Sequence, residues 1–407
     1  MQSAEIRQKF LNFFEKRGHV VIPSASLVPA NDASVLFTTA GMQQFKPYYV
    51  GKADALKDFN TLNLASSQKC VRTTDIEEVG DQSHLTFFEM LGNFSFGDYF
   101  KKEAIEYAWE FITGKDWLGI SPDRIYVTVH ESIALGRDEV SYDIWKNVIK
   151  LPEDKIKFGG IEDNFWGPTG SSGPCGPSTE IYVDGIEIWN IVFNQFVSKK
   201  SREQSLRDGW EMESEEIKGV DTGMGLERLV KVLQKTETVF ETDLLKPVME
   251  VADSRIVADH IRTSCFMITD GVTPSNTDRG YILRRLLRRA YVKNKDVNPV
   301  IEAVVNHPSY KGLYTFAPNI KEVMAQEFEK FRETLNAGLK QIKKGEDPFI
   351  LFTSYGLPLE IIKEVVPAMD EAKFQKQMEE HRQISSAAGE QKFSAKGGSA
   401  NPEGGKN

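Results

Sequence analysis

The 407-residue chain predicts an α+β fold: an antiparallel sheet flanked by helices, followed by an all-helical segment. Three observations carry this. Short runs rich in β-branched and aromatic residues ("SVLFTTAGM", "RIYVTVHES", "TEIYVD", "EIWNIVFNQFV") are bounded by Gly, Pro, Asn or Asp, the composition of strands. Helical patterns interrupt them sparsely, near 101–113, 138–150 and 223–235, so hairpins and not regular crossovers join the strands. After about residue 236 the period becomes helical, as in Ile320, Val323, Met324, Phe328, Phe331, Leu335, Leu339 and Ile342, with Gly345 as a stop.

Taken in order, the N-terminal stretch places Ile6, Phe10, Leu11, Phe13 and Phe14 on an amphipathic helix, with Ser3 as its expected cap and Gly18 as its end. Gln68 to Met90, "QKCVRTTDIEEVGDQSHLTFFEM", reads as strand, acidic loop and aromatic strand. Its Arg72 presents a planar fork suited to phosphate or carboxylate, which an ordinary hairpin with one salt bridge would also display. Near 220, "VDTGMGLERL" reads as a glycine turn opening a helix. From these patterns we expect domains over 1–235 and 236–384, and a flexible tail over 385–407, where the composition turns to Ser, Gly, Ala, Lys and Asn.

Composition narrows the function. A net charge of −9 gives no global nucleic-acid signature, so such a surface has to be local. Cys70, Cys175 and Cys265 are far apart and no CxxC is present, which argues against a disulfide framework or a zinc site and for a reducing cytosol. No run approaches the roughly 18 apolar residues of a membrane span, so a soluble, cytoplasmic protein is expected. "GPTGSSGPCGP" lacks the lysine and the following helix of a phosphate-binding P-loop.

One local basic patch exists. "RGYILRRLLRRAYVKNK" carries Arg279, Arg284, Arg285, Arg288, Arg289, Lys293 and Lys295 without an acid, while Ile282, Leu283, Leu286, Leu287 and Ala290 form an apolar face. On a pinned helix of an acidic chain this stripe is a candidate contact for a phosphate backbone.

An arginine hairpin with HxxxF followed by GMGLER resembles the second and third signature motifs of the class II aminoacyl-tRNA synthetases. "LVPANDASVLFTTAGMQQFK", "TFFEMLGNFSFGDYF", "DNFW", "GPCGPSTEIY", "EIWNIVF", "VDTGMGLER" and "GVTPSNTDRGYILRRLLRRA" are similar, in that order, to the alanyl-tRNA synthetase family.

The resemblance implies attachment of L-alanine to the 3′ end of alanine tRNA through an alanyl-adenylate, using ATP and Mg²⁺, with charge stabilisation by arginines. By similarity, Arg72 bridges the α-phosphate and the alanine carboxylate and Arg228 holds the γ-phosphate. His84, Phe88, Glu89 and Met90 border the adenine and triphosphate, and Glu180 is a candidate for ATP or Mg²⁺. Asp221 pairs with the α-ammonium, Asn190 orients the substrate, and Trp166, Val192 and Gly223 shape the space for a methyl group. Asn276 faces the G·U pair of the acceptor stem, with Arg279, Arg284, Arg285, Arg288 and Arg289 on its backbone. Glu360 and Thr353 stand at two family aspartate places.

The chain departs from the family in three further ways. Ser171 and Ser172 replace an aspartate before GPCGP, and the loop after Arg72 lacks a Gly-Lys-His-Asn run. The paired zinc-ligand signatures of the editing domain are also missing among the six histidines. The missing signatures imply no editing in this chain, and without the family's C-terminal dimerising segment a monomer is expected. A pocket for a methyl group rejects a hydroxyl or a lost methyl by only about 1 to 3 kcal/mol, so detectable seryl- and glycyl-tRNA is the expected product of long incubations. A preparation forming neither would refute that expectation.

Overall fold

The computed structural model describes residues 1–381 except 31, 33, 34, 169, 343, 344, 346, 356, 358, 360, 361, 364, 365 and 367. The expected tail at 385–407 and Glu360 lie outside the described residues. Ten strands form the sheet: β1 (Val20–Val21), β2 (Asn63–Val71), β3 (Phe87–Phe96), β4 (Ile125–Ser132), β5 (Gly136–Arg137), β6 (Ile156–Gly159), β7 (Phe165–Trp166), β8 (Gly173–Val183), β9 (Ile186–Ser198) and β10 (Met212–Gly225). Their order is β1-β2-β3-β10-β9-β8-β4-β5, with β6 beside β4 and β7 beside β8. The sheet is mixed and not purely antiparallel, because β1 runs parallel to β2 and β6 parallel to β4. All of its central pairs are antiparallel, as hairpin connections require.

The helices include α1 (Ser3–Glu15), α2 (Lys101–Thr113), α3 (Leu226–Gln234), α4 (Lys246–Ala252), α5 (Arg255–Thr269), α6 (Asp278–Lys293), α7 (Asn298–Val305) and α8 (Ile320–Ile342). Helix α1 covers one face of the sheet. Its Phe10 and Phe14 rings meet Trp189 of β9 at 5.7 and 6.4 Å, and Phe10 meets Phe111 of α2 at 5.4 Å. All four rings are buried, and each such burial stabilises the fold by roughly 1.5 to 3 kcal/mol. Because successive strand residues alternate between faces, covering this face leaves Phe88, Met90, Asn190, Val192 and Asp221 on the other.

Several local expectations change. The described part of Ser34–Met42 is loop leading into a 3₁₀ turn at Gly41–Phe45, not a strand. Its apolar composition is explained by docking, since Phe37, Ala40 and Met42 are buried. Ser3 is not a helix cap; its Oγ donates to Asp243 at 2.9 Å, and Gln2 precedes the helix. The segment 138–150 is a short α-helix, Glu139–Asp143, passing into a wider π turn at Ile144–Val148. Gly223 and Gly225 end strand β10, and the helix begins only at Leu226.

No strand follows Gly225 among the described residues. The sequence changes period near 236, yet the first compact unit runs from Met1 to Val323 and so includes α3 to α7. Within the second unit, Phe374 packs against Phe349 and Phe352 at 6.3 and 5.7 Å, and Lys373 bonds Asp347 at 2.7 Å.

Candidate active site

The open face of the sheet carries a cleft of about 180 Å³ that opens to solvent. Three strands, β3, β9 and β10, build its floor in register: Asn190 of β9 lies opposite Gly223 of β10, and Val192 lies opposite Asp221. Gly225 pairs with Met90 of β3. At Gly223 a Cβ would stand 2.8 Å from the Met90 sulfur, so a larger residue there would displace the Met90 side chain. That sulfur in turn accepts from the Gly41 N–H at 3.3 Å.

Arg72 emerges one residue beyond β2, where its N–H donates to Thr86 O at 3.0 Å and continues the hairpin ladder. Its guanidinium lies 5.0 Å from the Phe88 ring and its Nε donates to Thr39 O at 3.4 Å. Arg228 enters the cleft from the first turn of α3 and donates to Glu187 Oε2 at 2.9 Å. Both arginines therefore present planar donor sets to one open space, a geometry suited to a polyanion.

Asp221 brings a carboxyl to the same space. Its carboxyl is buried and accepts no hydrogen bond among the described residues, and burial raises its pKa to about 8. Trp166, Asn190, Val192 and Gly223 line the same cleft. A buried carboxyl without a donor, set in a small walled space, is unfavourable until a cation occupies it.

Three expected nucleotide contacts are placed elsewhere. Glu89 points to the covered face, where Arg7 of α1 grips it bidentately at 2.8 and 2.6 Å and Ser67 and Tyr314 donate at 3.1 Å. Strand alternation separates it from Phe88 and Met90. His84 turns to Asp81 at 2.5 Å and Glu78 at 3.1 Å, while its neighbours Ser83 and Leu85 line the cleft. Glu180 is buried and does not line the cleft; it bonds Asn190, Tyr182 and Thr128.

Ile188 and Glu187 also line the cleft and were not among the expected residues. Ile188 shares the two-residue period of Asn190 and Val192, so alternation alone locates it. Glu187 has no local signal, because its role comes from Arg228, 41 positions away. Glu187 is the half-exposed carboxylate beside Arg228 and fits an Mg²⁺ carried on nucleotide phosphates, a mode that needs one or two carboxylates. Among the described residues no group of three or more His, Cys, Asp or Glu is gathered as a metal site. Nor is any helix there long and apolar enough to cross a membrane.

Helix α6 buries Ile282, Leu283, Leu286, Leu287 and Ala290 as expected. Its arginines do not form one solvated stripe. Arg289 is buried and bonds Glu77 at 2.5 Å, and Arg285 bonds the same carboxylate. Glu77 belongs to the loop after Arg72, so α6 braces that loop. Arg284 donates to Asn276 Oδ1, and Arg279 to Leu36 O. Thr353 is exposed and donates to Phe349 O at 2.8 Å.

The chain is similar to known proteins over most of its length. Residues 5–401 match the family described as tRNA synthetases class II (A). The chain is 40% identical to the alanine–tRNA ligase of Carboxydothermus hydrogenoformans and 39% identical to that of Clostridioides difficile. These alignments cover 94% and 93% of this chain but 49% and 48% of the relatives, so it spans about half their length. The alanine–tRNA ligase of Borrelia hermsii is 37% identical, over 98% of this chain and 75% of that protein.

Proposed function

The chain belongs to the class II tRNA synthetase (A) family, and from that premise we propose that its cleft activates L-alanine with ATP and transfers it to alanine tRNA. The observation that carries this reading is the donorless, buried Asp221 facing the same cleft as Arg72 and Arg228. One cavity thus offers an anion for an ammonium and two planar cations for phosphates.

In the proposed reaction a carboxylate oxygen of alanine attacks the α-phosphorus of ATP, the bond to the bridging oxygen breaks, and pyrophosphate leaves. A ribose hydroxyl at the tRNA 3′ end then attacks the alanyl carbonyl and AMP leaves. Arg72 holds the α-phosphate and substrate carboxylate in line, and Arg228 exchanges Glu187 for the outer phosphates. Phe88, partly buried beside Arg72, offers a face to the adenine. Mg²⁺ bound to the phosphates supplies further charge neutralisation. Asp221 binds the ammonium, and Trp166, Val192 and Met90 close around the methyl group.

By the same proposal residues 1–235 carry the chemistry and 236–384 read the acceptor stem in a cytoplasmic monomer, with Asn276 facing the G·U pair. Exchange of pyrophosphate into ATP that depends on alanine tests the first step; no exchange with any amino acid would sink the reading. The second step is tested through α6. Arg288→Glu is expected to leave alanine-dependent exchange within twofold of wild type. Charging of alanine tRNA should fall about tenfold or more, with a shallower salt dependence. Equal losses in both assays would count against a tRNA role for this helix.

A further inference from the structure

Asn190, which lines the cleft, carries a second unsatisfied acceptor besides Asp221. Asn190 Oδ1 is buried without a hydrogen-bond partner, while the Nδ2 of the same amide donates to Glu180 Oε1 at 2.8 Å. Buried polar atoms are almost always paired, so an orphan on a substrate cavity calls for an explanation. An amide reversed about its last torsion would set Oδ1 against the Glu180 oxygen, two acceptors face to face. Ionised Glu180 therefore admits one orientation.

Glu180 is itself held. Its Oε2 accepts from Tyr182 OH at 2.7 Å and from Thr128 Oγ1 at 3.3 Å, and it sits on β8 directly opposite Asn190. Thr128 pairs opposite Glu180 on β4, so three adjacent strands contribute to one side-chain chain ending at the cavity.

We propose that Glu180 is a positioning residue that locks the Asn190 amide with Oδ1 toward the cavity, making with Asp221 an acceptor-only receptor for a primary ammonium. This rests on reading the cleft as the amino-acid site, and it deepens that reading. An ammonium brings three donors to such a receptor, whereas the hydroxyl of a 2-hydroxy acid brings one. The buried chain thus favours L-alanine over L-lactate, a near-isostere with the same methyl and carboxylate.

Glu180 has its pKa raised to about 7, by burial first and then by Glu187. The other groups facing it are Tyr182, Thr128 and Asp163, together with Tyr126 of β4. Protonation turns the acceptor into a donor and releases the constraint on the amide.

The test compares wild type with Glu180→Gln, whose side chain offers the amide either a donor or an acceptor. Alanine-dependent exchange is expected to show a KM for alanine raised about tenfold, the worth of one hydrogen bond to an ionised group. The KM for ATP should stay within twofold, and selectivity for alanine over lactate, measured by lactate inhibition, should narrow. Adding Asn190→Asp to Glu180→Gln reverses the polarity of the pair and returns an acceptor to the cavity, so the double variant should recover alanine KM to within threefold of wild type. Tyr182→Phe, which loosens Oε2 alone, should shift alanine KM in the same direction and less far.

The proposal is overturned if Glu180→Gln leaves alanine KM and selectivity within twofold of wild type. It is also overturned if the KM values for ATP and alanine rise together, or if the double variant is no better than the single. A wild-type protein that exchanges with no amino acid overturns instead the reading of the cleft, and this proposal with it.

Discussion

Replacing Asp221 by asparagine is expected to raise the KM for alanine by about a hundredfold or more while leaving that for ATP nearly unchanged. Asparagine keeps the shape and removes the charge, and an unpaired charge in a desolvated pair costs roughly 2 to 5 kcal/mol, about 1.4 per factor of ten. The pH dependence carries a second signature. Burial holds the Asp221 carboxyl protonated up to about pH 8, but an ammonium binds the carboxylate. Below that pH, alanine must displace a proton as it binds, so its KM should fall as pH rises toward 8 and level above it. Asp221→Asn should flatten that trend.

The same raised pKa links to stability. The unfolded chain releases this proton near the ordinary carboxylate value, while the folded chain keeps it to about 8. The contribution of Asp221 to stability is therefore fully present below the unfolded value and is lost as pH rises through the folded one. Urea unfolding of wild type and Asp221→Asn across pH 4 to 9 should show the difference between them grow in that direction. Parallel curves would contradict the burial argument.

The largest effect on folding is expected at Arg262. Its guanidinium is fully buried and bonds Glu227 at 2.5 Å, Tyr310 OH at 2.7 Å and Phe87 O at 3.0 Å. Glu227 also accepts from the Glu89 N–H at 3.0 Å, and Arg7 completes the group by holding Glu89. This network ties β3 and α3, which carry Met90 and Arg228, to α1 and α5. Arg262→Met strands the Glu227 carboxylate, whose pKa burial already raises. Breaking such a pair costs about 3 to 5 kcal/mol, whereas exchanging both partners for apolar groups costs little. Urea unfolding should show that loss at pH 7, and Arg262→Met with Glu227→Leu should recover most of it. Removing the arginine raises the folded pKa of Glu227 further. The unfolded chain is common to both proteins, so the loss should shrink as pH falls from the variant's folded value for Glu227 to the wild type's, a window above the ordinary carboxylate range. A single variant costing less than about 1 kcal/mol would show that Glu227 finds another partner.

Much of the site was legible along the chain because strand alternation is local. Phe88 with Met90, Asn190 with Val192, and Asp221 with Gly223 each share a face by their spacing alone. Alternation also carries Glu89 to the other face. It could not identify which face is the site, since that depends on α1 laying Phe10 and Phe14 over Trp189. "SVLFTTAGM" was misread for a related reason: apolar and β-branched residues signal burial, and here docking of a loop provides the burial that a strand would have. The apolar face of α6 followed from helical period, but the engagement of Arg285 and Arg289 by Glu77, more than 200 residues earlier, did not.

The sequence by itself determined most of the element types, the same-face residue sets and the family-like motifs, because each depends on neighbours a few positions apart. Tertiary structure alone decided which groups remain without partners. Glu89 is consumed by Arg7, Glu180 by the Asn190 amide and Arg228 for the present by Glu187, whereas among the described residues Asp221 and Asn190 Oδ1, both on residues that line the cleft, are left without a partner. The physical reason is that a hydrogen bond or ion pair between distant positions leaves no local trace. The chemistry a polar group can perform depends on whether the fold has already satisfied it.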